Sequence, residues 1–292
     1  MLKIALPNKG RLAAETRELF TDAGLDVRMS GERALTASLG GEFQGLFVRA
    51  QDIPELVADG AADAGVTGWD LVCEAGRGVD ARLDLGFGRC RLVVAAREES
   101  GIAELADLAA VAGPPRVATA FPRLTKRFFD ARAHAVAIVP VSGAAEVAPH
   151  LGIADVIVDI TSSGSTLKVN GMREVATVLE SSARLVVARE PGTAWCDGKR
   201  RALDELETAL ASVLRARGQR YVMANVPRSA LAGVKEILPG LGGPTVIDLL
   251  NGGTHVAVHA VAPAEGIHRT IARLKALGGE GILVTRIERL MP

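Results

Sequence analysis

Aromatic side chains are scarce in this chain: 2 Trp, 1 Tyr and 7 Phe among 292 residues. So few rings cannot supply the stacking platforms that hold single-stranded nucleic acids. No sign of charge predominates, because 34 Lys and Arg face 34 Asp and Glu. A chain without excess cations lacks the electrostatic footprint of a general nucleic-acid binder. The cysteines are Cys73, Cys90 and Cys196. Their odd number and the lack of CxxC spacing argue against a disulfide framework or a thiolate zinc site and fit a reducing compartment. No uncharged apolar run reaches about 18 residues, which excludes a transmembrane helix. Lys3, Lys9 and Arg11 interrupt any apolar h-region near the start, so no signal peptide is expected. The expected setting is the cytoplasm.

What is present is an ordinary globular mix, 48% hydrophobic and 23% charged. Its length suits roughly two domains and a core that needs no disulfide or structural metal. The 32 glycines exceed the usual share of about 7%, and turns that approach ligands are one place for the excess.

Strand and helix patterns alternate along the first half. Strands are expected at 2–6, 43–48 and 62–66, with helices between them, Asp52 as an N-cap and Pro54 in its first turn. A second unit of the same kind begins near Arg91. Its strands are LVVAA, RVATA, AIVPV and DVIVDI, and its helices are expected at 102–108, 123–131 and 143–151. LVVARE near residue 185 reads as one more strand, and a helix follows over 197–217. This order implies a mostly parallel sheet covered by helices. The last stretch reads as strands at 221–226, 245–250, 255–262 and 282–287, with helices at 229–238 and 266–277. That is βαββαβ, the ferredoxin-like arrangement.

Ligands of open α/β sheets bind beyond the carboxyl ends of the strands. Lys9 and Arg11 follow the first strand, Arg49 the second, and Thr67, Gly68 and Asp70 the third. DVIVDI is followed by Thr161, Ser162, Ser163, Gly164, Ser165 and Thr166. Cations, hydroxyls and glycines are the groups that hold phosphate. Gly164 permits close backbone approach and positive φ. The competing reading is a polar turn after a strand, and no GxxxxGK[ST] loop occurs. Asp159 precedes the loop and Glu146 lies thirteen positions earlier. Two acids there would hold sugar hydroxyls or Mg²⁺, or else serve as a cap or an ion-pair partner. His255 and His259 lie on one alternating strand, roughly 13 Å apart at about 3.3 Å per residue, too far for one metal.

The block EVAPHLGIADVIVDITSSGSTL over 146–167 resembles the signature of the ATP phosphoribosyltransferase family. So do PNKGRL, GVTGWDLV, LGFGRCRL and RVATAFPRL, while NVPRSAL and LPGLGGPT resemble the regulatory domain of its long form. The likeness spans essentially the whole chain. It implies an α/β fold with bilobal, periplasmic-binding-protein-like catalytic domains and a C-terminal ferredoxin-like regulatory domain. The implied bounds are 1–90 with a return segment at 184–217, then 91–183, then 218–292. It implies transfer of phosphoribosyl from phosphoribosyl pyrophosphate to N1 of ATP with Mg²⁺, the first step of histidine biosynthesis. Histidine would be the inhibitor, and dimers and hexamers the assemblies.

By the same resemblance, 162–166 would hold the 5′-phosphate, and Glu146 and Asp159 would serve the ribose hydroxyls or Mg²⁺. Lys9, Arg11 and Arg49 would face pyrophosphate or the phosphates of ATP, and Asp70 the adenine. Asn225, Leu241, Gly243, Thr245 and Gly281 would line a histidine pocket. Phe121 stands where some relatives carry an aromatic hydroxyl, Gln51 where some carry Lys, and Asn225 where Asp is frequent. The bilobal pattern alone also permits a non-catalytic small-molecule binding protein, or a phosphoribosyltransferase with another acceptor.

Overall fold

The computed structural model describes residues 1–25, 27, 35–190, 195–250 and 253–291. It begins with β1 (Leu2–Pro7), α1 (Ala13–Asp22), β2 (Thr36–Ser38) and β3 (Phe43–Val48). Then come α2 (Ile53–Ala58), β4 (Ala64–Gly68), α3 (Trp69–Ala75) and β5 (Val79–Asp84). The chain continues through β6 (Cys90–Arg97), β7 (Arg116–Thr119), α4 (Pro122–Asp130) and β8 (Ala137–Pro140). Next are α5 (Val147–His150), β9 (Val156–Thr161), α6 (Ser165–Val169), β10 (Met172–Ser181) and β11 (Ala183–Ala188). After α7 (Asp197–Ala216) follow β12 (Gln219–Pro227), α8 (Leu231–Ile237), β13 (Thr245–Asp248), β14 (His255–Pro263), α9 (Ile267–Ala276) and β15 (Glu280–Arg286).

β1 is central because it is apolar on both faces: Leu2, Ile4, Ala5 and Leu6 are all at most 1% exposed. It pairs in parallel with β3 and β4, and the first sheet runs β2-β3-β1-β4-β11-β5. Ile53, Val57 and Val72 from α2 and α3 pack against Ala5 and Val186 of this sheet. Each such aliphatic side chain, fully buried, contributes about 1.5–3 kcal/mol of transfer free energy. The second sheet runs β10-β6-β9-β7-β8. Its two faces carry separate cores, one built on Leu124, Phe128 and Phe129 from α4 with Phe121 just before it, the other on Ala145, Ala148 and Leu167.

The chain passes between these sheets twice. Residues 85–89 link β5 to β6, and Ser182 alone links β10 to β11. The two passages are bonded to each other. The Leu85 N–H donates to the Ala183 carbonyl and the Ala183 N–H to the Phe87 carbonyl, both at 2.9 Å. The Ser182 hydroxyl donates to Asp84 Oδ1 at 2.8 Å.

The chain divides into two compact units, residues 1–21 with 25–207 and residues 22–24 with 208–292, the division falling within α7. In the second unit the strands run β13-β14-β12-β15, all antiparallel. With α8 and α9 this is the ferredoxin-like βαββαβ fold. Val222, Ala224, Val226, Val256, Val258 and Ala260 alternate toward Val234, Leu238 and Leu274 of the helices. Among the described residues, no helix is long and apolar enough to cross a membrane.

Several sequence expectations need correction. The helix expected over 143–151 forms only as α5, and that expected over 102–108 is a 3₁₀ turn, Leu105–Ala110, closed by a Glu104–Asp107 capping box. Asp52 occupies the N-cap of α2, but its side chain caps nothing, because a 3₁₀ turn over Ala50–Asp52 already precedes it. The first two sheets are mixed rather than mostly parallel, because β2 on β3, β11 on β4 and β5, and β6 on β9 and β10 are antiparallel, and the strand and helix pattern of the sequence gives no sign of β2, β5 and β10.

Candidate active site

Parallel pairing of β1 with β3 and β4 sets their carboxyl ends side by side. The Asn8 N–H donates to the Val48 carbonyl at 2.8 Å, so Lys9 and Arg49 leave adjacent strand ends, both exposed. The Thr67 hydroxyl donates to the Ala50 carbonyl at 2.7 Å and ties the third strand end to the second. The Arg11 guanidinium donates to the Gly88 carbonyl and stands 3.4 Å from Asp70 Oδ1.

Asp70 lies in the first turn of α3, and its side chain is only 1% exposed. Its Oδ1 accepts the Ser181 hydroxyl at 2.5 Å, and its own N–H donates to Ser181 Oγ at 2.9 Å. The resemblance directs Asp70 toward adenine; in this conformation its carboxylate is turned to Arg11 and Ser181. Gly68 makes room for it, since a Cβ there would strike Asp70 Oδ1.

The loop after β9 holds its shape by itself. Thr161 Oγ1, buried, accepts the Gly164 N–H at 2.9 Å. Gly164 has φ +76°, and a Cβ there would stand 3.1 Å from Glu174 Oε1. Glu174 in turn takes a two-pronged bond from Arg91, at 2.6 and 2.9 Å. The hydroxyls of Ser163 and Ser165 bond to each other at 2.9 Å. Ser162, Ser163, Ser165 and Thr166 are exposed. Among the described residues, the hydroxyls of Ser162 and Thr166 have no protein partner, so both are open to a ligand.

Asp159, half-buried on β9, keeps one oxygen on the Ile160 N–H at 2.7 Å. Burial pushes its carboxyl above the ordinary range, the Ile160 N–H opposes that, and the negative charge of Glu146 adds to the rise. Glu146, half-buried before α5, is thus within electrostatic reach of Asp159. Among the described residues there is no group of three or more His, Cys, Asp or Glu suited to a metal.

A cavity of about 350 Å³ runs from this loop to the paired passages, lined by Ser162, Arg91, Arg89, Ser181, Ser182 and Arg184 among others. Arg184 stands 5.2 Å over the Trp69 ring and 3.4 Å from Asp84 Oδ2. Phe121 lies in the second sheet's core, 6% exposed. The five residues expected around histidine fall into two groups. Gly281 adjoins Asn225, a Cβ on it reaching to 3.5 Å of the amide nitrogen. Leu241 and Gly243 precede β13 and Thr245 opens it, and β14 stands between β13 and the β12 strand that carries Asn225.

Ser181, Glu174 and Arg91 were not among the expected site residues. Their partners lie 111 and 83 positions away, so no local spacing could reveal them.

The profile of the ATP phosphoribosyltransferase family matches residues 49–212, and that described as the HisG C-terminal domain matches 216–289. An ATP phosphoribosyltransferase of Gemmatimonas aurantiaca is 68% identical over 292 residues, covering 100% of both chains. One of Halobacterium salinarum is 48% identical, covering 99% of this chain and 100% of its own. Among solved structures, the ATP phosphoribosyl transferase (HisG:HisZ) complex from Thermotoga maritima superposes with a TM-score of 0.64 at 28% identity. That likeness covers 74% of this chain and 99% of the other. The two profile matches on this chain and the relatives that align over its full length lead to one assignment, with which the strand-end cations and the hydroxyl loop agree: the chain belongs to the ATP phosphoribosyltransferase family.

Proposed function

We propose that this chain transfers the phosphoribosyl group from phosphoribosyl pyrophosphate to N1 of ATP, giving phosphoribosyl-ATP and pyrophosphate, the first step of histidine biosynthesis. The observation that carries the reading is the TSSGST loop: Thr161 and Gly164 shape it from within, while the exposed hydroxyls of Ser162 and Thr166 have no protein partner among the described residues. The reaction requires no protein nucleophile. The N1 lone pair attacks the anomeric carbon as the bond to pyrophosphate breaks, and the leaving oxygen takes that electron pair. Positive charge grows on the ribose and negative charge on pyrophosphate, so fixed cations and alignment of the two substrates do the work.

In this reading 162–166 hold the 5′-phosphate through hydroxyls and backbone N–H groups. Lys9, Arg11 and Arg49 face pyrophosphate or the phosphates of ATP, and Asp70 acts through Arg11. Glu146 and Asp159 receive the ribose hydroxyls or Mg²⁺. The pair fits Mg²⁺: two coupled carboxylates, neither with a cationic partner among the described residues, match an ion that takes one or two carboxylates plus substrate phosphates. When bound, Mg²⁺ would neutralise charge on the pyrophosphate. Asn225, Leu241, Gly243, Thr245 and Gly281 belong to the proposed histidine site, which inhibits the enzyme, and the chain works as a dimer or hexamer. Its three free cysteines suit a cytoplasmic setting.

An ultraviolet assay of the purified chain with ATP, phosphoribosyl pyrophosphate and Mg²⁺ tests the reading. Product formation suppressed by histidine is expected. Product formation indifferent to histidine would keep the reaction and remove the regulatory site. Binding of phosphoribosyl pyrophosphate without turnover would point to a binding protein, and turnover on another base to a different acceptor.

A further inference from the structure

We infer that Ser181 is a positioning residue: it fixes the Asp70 carboxylate, which in turn aims the Arg11 guanidinium at the anionic substrate. This rests on the proposed reaction, in which Arg11 meets a phosphate group.

The distances decide which contact governs the other. Arg11 lies 3.4 and 3.5 Å from the two Asp70 oxygens, long for a hydrogen bond and weakly directional. Ser181 is bonded to Asp70 at 2.5 Å through its own hydroxyl proton and at 2.9 Å through the Asp70 N–H. Both groups are enclosed, Asp70 at 1% and Ser181 at 6% exposure. Donation and acceptance by one oxygen leave the Ser181 side chain a single orientation, and the carboxylate is set by it. A buried carboxylate also needs its donors, because desolvation without them costs several kcal/mol. Arg11 is therefore drawn to a charge whose location Ser181 has already settled.

Arg11 has a second anchor at the Gly88 carbonyl. Gly88 lies in the passage from β5 to β6, and Ser181 immediately precedes the passage from β10 to β11. The guanidinium is thus held by Gly88 of the first passage and by Asp70 of α3, which Ser181 fixes from the end of β10, and its side chain remains 36% exposed. With five N–H donors in a fixed fork, it can keep both anchors and still offer donors to an incoming phosphate. Loss of the Ser181 hydroxyl would leave the Asp70 carboxylate free to rotate and Arg11 aimed less well.

The test is a double-mutant cycle on the full chain with Ser181→Ala, Arg11→Ala and the double variant, read as kcat and KM for ATP and for phosphoribosyl pyrophosphate. Arg11→Ala is expected to lower kcat/KM for the substrate it contacts by about tenfold or more, the size of one charge-assisted hydrogen bond. Ser181→Ala should lower the same parameter about fivefold by removing the hydroxyl that both donates to and accepts from Asp70, and add nothing in the Arg11→Ala background. Ser181→Thr keeps the hydroxyl and should restore most of the loss, which separates positioning from a general loss of folding. Equal losses from Ser181→Ala in both backgrounds, or no loss in either, would overturn the positioning role and leave the reaction intact. Failure of the unaltered chain to form phosphoribosyl-ATP would overturn the reaction itself, and this role with it.

Discussion

Asp159 binds its proton more tightly in the folded chain than in the unfolded one, because burial and Glu146 together outweigh the Ile160 N–H. Stability therefore falls as pH rises from the ordinary carboxylate range through the raised value, and at neutral pH the ionised side chain is a standing cost. Asp159→Asn should raise the Tm at pH 7 by a few degrees and abolish most phosphoribosyl transfer, a trade typical of functional carboxylates. Differential scanning calorimetry beside the ultraviolet assay checks both halves. Gly164→Ala places a Cβ at φ +76°, 3.1 Å from Glu174 Oε1. It should cost about 1 kcal/mol or more and raise KM for phosphoribosyl pyrophosphate, since the loop cannot keep its turn. Thiol chemistry separates the cysteines. Burial pushes the Cys73 and Cys90 thiols up, whereas backbone N–H groups of Lys199 and Gly198 draw the exposed Cys196 thiol down. A maleimide at neutral pH should label Cys196 first, as peptide mass mapping would show. Residues whose chemistry lies within a short window, such as Asp159 and the TSSGST loop, could be picked out from sequence. Ser181 could not, because a serine after a glutamate carries no sign that its hydroxyl meets an aspartate 111 positions earlier.

At the level of elements, the strands that went unseen share a physical cause. β2, β5 and β10 are all edges of their sheets. An edge strand keeps one side toward water and carries charge that blocks pairing with another chain, so VDARLD and MREVATVLES lack the apolar run that marked DVIVDI or LVVAA. The expected helix over 143–151 shrank to α5 because glycine and two alanines before Glu146 hold no periodic apolar face, and Ala144 takes a positive φ of 49°. The C-terminal pattern is legible to within about two residues at each end, since β14 and β12 from Tyr221 onward alternate buried and half-exposed positions over most of their length. That segment carries its own prediction. A chain ending near Arg217 should keep transferase activity and lose inhibition by histidine, measured as initial rate against histidine concentration. Undiminished inhibition would move the regulatory site out of 218–292.

For the whole molecule, histidine binding to the native state alone should raise the Tm with concentration. At about 100 times its Kd the gain is about 2.7 kcal/mol, and calorimetry reads it without any turnover. Asn225→Ala should abolish that shift. A further consequence follows from the two passages between the β1 and β9 sheets. One strand would let the lobes swivel freely. Two strands laced by the Leu85, Ala183 and Phe87 bonds make a ribbon, which flexes about the axis across its width and resists torsion. Any opening and shutting of the lobes is thereby confined to one arc, so the Lys9 and Arg49 side and the 162–166 side meet in the same register each time, as the two leaves of a door do on a paired hinge.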